Sequence, residues 1–185
     1  MEKGASLHQK LLQVARRVTG VDADQDGLEC LGRQGIRNLI CADVQMPQAL
    51  DIPEIPRPID VVVAGEILEH LTNPGLCLAN IACLMNNGNT ILLITVPNAF
   101  SLRNFFSVLS RNKEKVRADH NYYFSYTTLK SLLATYGFSI DDVYTYSNLR
   151  DGQNPLKAIA KRIVNNTIIR HSPFIAEGLI VVAGR

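Results

Sequence analysis

Two nearly uninterrupted apolar runs constrain the fold of this chain more than any other sequence feature. They are Ile59–Ala64 (IDVVVA) and Thr90–Val96 (TILLITV), and both are rich in the β-branched residues that favour strands. Runs of this kind are typical of strands covered on both faces, as in a parallel sheet. A helical pattern of apolar residues lies between them and ends near Gly88. The two runs therefore predict a βαβ unit with a right-handed crossover.

The same alternation extends in both directions along the chain. We predict further strands at Val18–Asp22, Asn38–Ala42, Phe138–Tyr146 and Glu177–Ala183, and helices at about 7–17, at Gln25–Gln34 and at Thr127–Tyr136. Four prolines, at 47, 53, 56 and 58, predict an irregular surface connection before Ile59. Alternating strands and helices predict an α/β, doubly wound and mainly parallel sheet. We treat residues 1–185 as one domain.

Composition and charge narrow the class of protein. The chain is 46% hydrophobic and 19% charged, as in an ordinary soluble domain. Its formal charge of +2 gives no support for nucleic acid or a membrane as a partner, and no apolar run reaches the roughly 20 residues that span a bilayer. The four cysteines show no metal-binding or CxxC spacing. We expect them to be reduced and mostly buried, in a cytoplasmic protein.

The residues that follow the predicted strands are the candidate binding site, because ligands of doubly wound sheets bind at the carboxyl ends of the strands. Asp22, Asp43, Glu66 and Asn98 follow the first four strands in order. A carboxylate at such a position can accept two hydrogen bonds from a ribose diol. An aspartate after a strand is also a common helix cap or turn residue. Taken singly, each position is compatible with both roles.

Taken together, four segments resemble, in order and spacing, the class I S-adenosylmethionine-dependent methyltransferases, and in particular their small-molecule branch. The segments are VTGVDAD, NLICADVQ, DVVVAGEILEHLTNP and LMNNGNTILLITVPN. The resemblance covers about residues 4–147, and EGLIVVAGR is similar to the antiparallel last strand of that Rossmann-like fold. It implies that residues about 100–126 and 148–176 are insertions on the substrate side.

The resemblance also implies roles for single residues toward the cofactor. Asp22, with Ala23 beside it, would hold the ribose hydroxyls. Asp43 and the backbone N–H of Val44 would meet the adenine ring. The backbone around Ala64 and Ile67, together with Glu66, would face the methionine part and the methyl group.

The family's first strand and glycine-rich turn have no full counterpart here, since only Met1–Lys3 precede Gly4. We interpret Gly4 as the tail of that turn, where a missing side chain lets backbone approach the cofactor. We therefore expect an N-terminally incomplete sheet whose exposed strand edges allow self-association. Three explanations stay open: a longer natural protein, loss of activity, or completion of the sheet by another segment or subunit.

The segment DHNYYFS supplies the candidates on the acceptor side. Methyl transfer is an in-line displacement at a sulfonium, so the protein aligns the acceptor and removes a proton where a hydroxyl or amine reacts. His120 suits the role of base, and we expect Asn98, Tyr122 and Tyr123 to line the acceptor site; a structural role is an equal alternative for His120. Glu66-x-x-Glu69-His70 lacks the HExxH order, and no metal site is predicted.

The sequence thus predicts an enzyme that uses S-adenosylmethionine to methylate oxygen, nitrogen or carbon of a small molecule, with S-adenosylhomocysteine as product. One alternative is a catalytically inactive or partner-dependent methyltransferase-like binding module. Another is an NAD-dependent oxidoreductase, because an acid after a strand also serves a dinucleotide ribose. The GEILEH and VPN segments and the antiparallel closing strand argue against the oxidoreductase.

Overall fold

The computed structural model describes residues 7–85, 88–114, 116–147 and 171–185. Its elements are α1 (Leu7–Leu11), β1 (Gly20–Asp22), α2 (Gln25–Arg33), β2 (Leu39–Cys41), β3 (Val61–Gly65), α3 (Pro74–Leu84), β4 (Ile91–Pro97), α4 (Leu102–Arg111), α5 (Tyr126–Thr135), β5 (Ser139–Tyr146) and β6 (Gly178–Gly184). A short 3₁₀ helix, Pro173–Ile175, precedes β6. Most of the predicted insertion at 148–176 lies outside the described residues.

The strands pair in both parallel and antiparallel fashion, and the arrangement confirms the predicted α/β fold. β1 and β2 pair in parallel as a two-stranded sheet. The larger sheet has the order β3-β4-β6-β5, in which β3 and β4 are parallel and β6 runs antiparallel to both β4 and β5. The predicted antiparallel last strand is therefore confirmed, and it is an internal strand of the larger sheet.

Helix α1 packs against one strand of each sheet. A Cβ atom on Gly65 of β3 would lie 2.9 Å from the Leu7 side chain, and one on Gly20 of β1 would lie 2.8 Å from the His8 ring. Such distances are shorter than van der Waals contact. The absence of a side chain at both glycines lets Leu7 and His8 lie directly against the two strands.

The core is built on β4 and β6, whose central residues are fully buried together with leucines of α3 and α5. Leu92, Ile94 and Val96 of β4 have no exposed surface, whereas Leu93 and Thr95 are only half-buried. One face of β4 is thus fully covered and the other partly covered. The prediction of full coverage on both faces was wrong, because β-branched composition reports strand preference and not the extent of packing.

Two helix ends occur where glycine predicts them, and one helix was missed. Gly35 and Gly137 adopt φ values of +85° and +81° directly after α2 and α5, a conformation that glycine adopts without strain. Helix α1 is shorter than the predicted 7–17, and turns continue it to residue 14. Helix α4 lies in the stretch for which no clear pattern was found. Its apolar residues recur at helical spacing behind Ser101, which caps it.

The expectations for the cysteines and for membrane spans have mixed outcomes. All four cysteines are free, but only Cys77 is buried, so the prediction that most are buried was wrong. Cys30, Cys41 and Cys83 are exposed on α2, β2 and α3, so their thiols have no role in the core. No described helix combines the length and the hydropathy that a bilayer-spanning segment requires.

Candidate active site

Two exposed carboxylates lie at the carboxyl ends of the parallel pair β1 and β2. Asp22 ends β1, and its Oδ1 accepts a hydrogen bond from the backbone N–H of Asp24 at 2.9 Å. Asp43 follows β2, and its Oδ1 accepts from the N–H of Gln45 at 2.9 Å. Asp22 is in register with Cys41 at the end of β2, which places both carboxylates at one edge. Within the described residues, the second oxygen of each carboxylate has no hydrogen-bond partner.

A buried amide holds the loop that follows Asp43. The Asn80 side chain on α3 is 5% exposed, and its Nδ2 donates to the carbonyl oxygens of Val44 and Met46, both at 2.8 Å. The Gln45 side chain accepts from the backbone N–H groups of Thr72 at 2.8 Å and Asn73 at 2.9 Å. The loop carrying Val44 is therefore fixed against the start of α3. Sequence reasoning missed Asn80, because no local pattern links it to a loop so distant in the chain.

Glu66 has a left-handed backbone conformation directly after β3, with φ +53°. Such a conformation costs a non-glycine residue about 1–3 kcal/mol and is common at functional sites. Hydrogen bonds from the Glu66 N–H to the Thr95 carbonyl and hydroxyl oxygens, at 2.9 and 3.1 Å, hold it. The Tyr146 hydroxyl donates to Glu66 Oε1 at 2.7 Å, so the carboxylate position is set by β5. Burial, and secondly this bond, raise the pKa of Tyr146.

The remaining predicted cofactor residues lie near these groups or outside the described part. Ala23 is exposed beside Asp22, Ala64 is buried in β3, and Ile67 packs against the core. Gly4 lies outside the described residues. Exposed carboxylates with an oxygen left to accept hydrogen bonds fit a ribose diol at Asp22 and an exocyclic amine at Asp43. This edge therefore offers acceptor groups that are compatible with the donors of an adenosine.

A second group of polar side chains includes two residues that follow Glu66 in the chain, Glu69 and His70, and the distant His120. We call these three residues the imidazole–carboxylate cluster. One ligand-type atom from each lies within 4.8 Å of the others. The His70 and His120 rings meet edge to face, with centroids 4.6 Å apart. Burial raises the pKa of Glu69 to about 7. Burial, and secondly the neighbouring His70, lower the pKa of His120.

Backbone hydrogen bonds hold the two segments of the cluster together. The carbonyl oxygen of Glu69 accepts from the N–H groups of Asn121 at 2.7 Å and Tyr122 at 3.2 Å. Asn121 Nδ2 donates to the His70 carbonyl at 2.7 Å, and the Tyr122 hydroxyl donates to the Thr72 carbonyl at 3.0 Å. His120 is therefore brought to Glu69 and His70 by tertiary hydrogen bonds that no sequence pattern reveals.

A cavity of about 580 Å³ lies beyond the end of β4. Its lining is mainly apolar and includes Phe100, Phe105, Val108, Phe174 and Ile175. Asn98 is 2% exposed and supports the wall of this cavity. Its Nδ2 donates to the carbonyl oxygens of Phe174 at 2.7 Å and Ala176 at 2.9 Å, and its Oδ1 accepts from the N–H of Phe100 at 3.1 Å.

The cavity and the cluster are connected through Tyr123. Its ring centroid lies 6.1 Å from that of His120. Its hydroxyl is hydrogen-bonded to Asn104, which lines the cavity. Tyr122 is exposed, and its ring stacks on that of Phe124 with centroids 6.0 Å apart. None of the predicted acceptor residues is among the described residues that line the cavity: Asn98 supports its wall through hydrogen bonds to backbone, and Tyr123 lies between Asn104 of the lining and His120.

Comparison with known proteins decides the family. A family model described as "Methyltransferase domain" matches residues 5–143, which include both carboxylates at the first sheet edge and the whole cluster. The chain belongs to this methyltransferase family. A search of curated proteins gives no match.

Solved methyltransferase structures share the fold. An S-adenosylmethionine-dependent methyltransferase from Archaeoglobus fulgidus matches at 18% identity and a TM-score of 0.59, over 90% of this chain and 75% of that one. One from Mesorhizobium loti matches at 14% identity and a TM-score of 0.57, over 92% of this chain and 81% of that one. The plantazolicin methyltransferase BamL, solved with a triazolic desmethylPZN analogue and S-adenosylhomocysteine, matches at 14% identity and a TM-score of 0.61, over 96% of this chain and 71% of that one.

This methyltransferase therefore has S-adenosylmethionine as its cofactor, and the oxidoreductase alternative is not supported. The cofactor supplies a methyl group activated on a sulfonium. The described residues that fit its adenosine part are Asp22 and Asp43 at the strand ends and the Val44 backbone that Asn80 holds. Glu66 is fixed at the end of β3 by its bond to Tyr146.

Proposed function

We propose that this methyltransferase transfers the methyl group to an oxygen, nitrogen or carbon of a small-molecule acceptor. The observation that carries the proposal is the apolar cavity of about 580 Å³ at the end of β4. Small-molecule sites are typically clefts of about 300–1,000 Å³ with apolar linings and a few polar groups. The wall residues Phe100 and Phe174 fit an aromatic or aliphatic acceptor body.

The reacting end of the acceptor would face the imidazole–carboxylate cluster. The Tyr123 ring lies between Asn104 of the cavity lining and His120, so we place the polar end of the acceptor on the Tyr123 side of the cavity. In-line displacement needs the acceptor atom about 3–3.5 Å from the methyl carbon, and alignment of this kind supplies much of the rate. The proposed roles are ribose and adenine binding for Asp22 and Asp43, and acceptor-end placement for His120.

The experiment that tests the proposal offers the protein labelled S-adenosylmethionine with a panel of small apolar phenols, amines and acids. A matched arm offers short RNA and protein substrates. We expect methyl transfer to members of the small-molecule panel only. Transfer to RNA or protein, with none to any small molecule, would contradict the acceptor class.

A variant of the cavity provides the matched control. Phe105 is 60% exposed and lines the cavity, while Phe106 beside it is 54% exposed and is not among the lining residues. Phe105→Ala is expected to raise the acceptor KM severalfold and to leave the Kd for S-adenosylhomocysteine unchanged. Phe106→Ala should leave both constants unchanged. Equal effects of the two substitutions would place the acceptor elsewhere.

A further inference from the structure

Among the described residues, the lining of the cavity at the end of β4 contains a single ionisable side chain, that of Glu114. The other polar side chains of the described lining are those of Ser101 and Asn104, and no described lysine, arginine or histidine belongs to it. A glutamate carboxylate is ionised at neutral pH. The described lining therefore carries one negative charge on a mainly apolar surface.

Two arginines close to the lining in sequence have carboxylate partners of their own. Arg103 Nη1 lies 3.4 Å from Glu177 Oε1. Arg117 donates two hydrogen bonds to the Asp119 carboxylate, at 3.0 and 2.9 Å. Within the part of the chain that the structure describes, no cation forms an ion pair with Glu114. The Glu114 charge is therefore left for a ligand.

Glu114 belongs to a polar corner of the cavity, which we define as Asn104, Glu114 and Tyr123. Asn104 and Glu114 line the cavity, and the Tyr123 hydroxyl is hydrogen-bonded to Asn104. Burial raises the pKa of Tyr123, and the nearby Glu114 carboxylate raises it further. The Tyr123 ring also lies beside that of His120, with centroids 6.1 Å apart. The polar corner is thus on the side of the cavity where we place the reacting end of the acceptor.

Aromatic rings line the same cavity. Phe100, Phe105 and Phe174 belong to its lining, and all three are exposed. The Phe174 ring is fixed by stacking on Tyr126, with centroids 5.0 Å apart. An ammonium group over the face of an aromatic ring is attracted by the ring quadrupole. A carboxylate together with aromatic faces favours a cationic ligand over a neutral or an anionic one.

We propose that the methyl acceptor is an amine, bound as its ammonium ion at the polar corner with its apolar body against the phenylalanines. This inference rests on the proposed function and narrows the acceptor atom to nitrogen. It makes Glu114 the residue that determines the specificity for the acceptor.

An ammonium nitrogen must lose a proton before it can attack the methyl carbon. The ammonium passes one proton to the neutral His120 ring and becomes an amine with a free lone pair. That lone pair forms the nitrogen–carbon bond while the carbon–sulfur bond breaks with its electron pair on sulfur. The products are the methylated ammonium ion and S-adenosylhomocysteine, and His120 returns its proton to solvent.

Binding is tested by calorimetric titration of the whole chain, saturated with S-adenosylhomocysteine. The probes carry a phenyl, naphthyl or octyl body, and each body is tested with an amine, an alcohol or a carboxylate at its end. For the bodies that bind, we expect the amine to bind about tenfold more tightly than the alcohol and the carboxylate to bind most weakly. Equal affinity for the three end groups, or tightest binding of the carboxylate, would overturn the inference.

Variants at Glu114 test whether this residue is the cause of the preference. Glu114→Gln should reduce the preference for the amine about threefold, and Glu114→Lys should reverse it, so that the carboxylate binds more tightly than the amine. Glu54→Lys makes the same charge change at an exposed acid outside the described lining and should leave the preference unchanged. A preference for the amine that persists in Glu114→Lys would contradict the role of this residue.

The activity arm keeps the inference and the proposed function separate. With labelled S-adenosylmethionine, mass spectrometry of the products should find the methyl group on nitrogen. Transfer to oxygen or carbon of the small molecules, with none to nitrogen, would contradict only the inference. Absence of both binding and transfer for every small molecule would contradict the proposed function, and the inference would fall with it.

Discussion

Replacing the buried amides Asn80 and Asn98 by leucine separates the two halves of the site. Both side chains are nearly fully buried, and both act only through hydrogen bonds to backbone. Asn80 holds the loop beside Asp43, whereas Asn98 holds the wall of the cavity. Leucine has a similar size, so the substitution removes the hydrogen bonds without opening a large void. We expect each variant to damage one function and to spare the other.

The magnitude follows from the bonds that are lost. Asn98 makes three hydrogen bonds to backbone, to Phe174, Ala176 and Phe100. At about 0.5–1.5 kcal/mol each, Asn98→Leu should lower the free energy of unfolding by about 1.5–4.5 kcal/mol. Asn80 makes two such bonds, which gives about 1–3 kcal/mol for Asn80→Leu. Denaturant unfolding measures both values.

Ligand titrations then distinguish the variants. Asn80→Leu should weaken S-adenosylhomocysteine binding about tenfold or more and leave the acceptor KM near its original value. Asn98→Leu should raise the acceptor KM and leave the cofactor Kd unchanged. If both variants lower cofactor affinity in proportion to their loss of stability, the assignment of the two loops to separate ligands is wrong.

Three further substitutions test other parts of the account. Asp22→Ala should weaken S-adenosylhomocysteine binding by at least about 100-fold in a calorimetric titration, since hydrogen bonds to a charged group contribute about 1.5–3 kcal/mol each. The Asp24 side chain makes no capping bond, so Asp24→Ala should change the affinity little in the same titration. His120→Ala should lower kcat by about 100-fold or more while cofactor affinity stays constant, and a loss of less than a few-fold would reduce His120 to a loop-ordering residue. Gly178→Ala places a methyl group against the Tyr146 ring and should lower the free energy of unfolding, measured with denaturant, by about 1–3 kcal/mol. Gly32 faces open space on α2, so Gly32→Ala should raise the free energy of unfolding by about 0.5–1 kcal/mol.

The sequence predicts the parts of the fold that depend on local chemistry. Gly35 and Gly137 end their helices as expected, because only glycine adopts their positive φ without strain. The strand at 139–146 and the strand at 178–184 lie within one residue of their predicted limits. The first strand is shorter than predicted, Gly20–Asp22, because pairing partners set strand length and, in the part of the chain that the structure describes, β1 pairs only with the three residues of β2.

The site is predictable only where it follows the strands. Asp22 and Asp43 are found from the rule that ligands bind at strand ends. Asn80, Tyr146 and the contact between His70 and His120 depend on tertiary packing across long stretches of chain, for which one sequence holds no signal. Helix α4 is a different case, because leucine and phenylalanine at helical spacing behind Ser101 would have indicated it.

A crystal structure of the protein with bound S-adenosylhomocysteine tests the central claim most directly. We expect the ribose hydroxyls on the Asp22 carboxylate, the adenine beside Asp43 and Val44, and the sulfur directed toward Glu66 and the imidazole–carboxylate cluster. A nucleoside bound away from Asp22 and Asp43, or a sulfur directed away from His120, would contradict it.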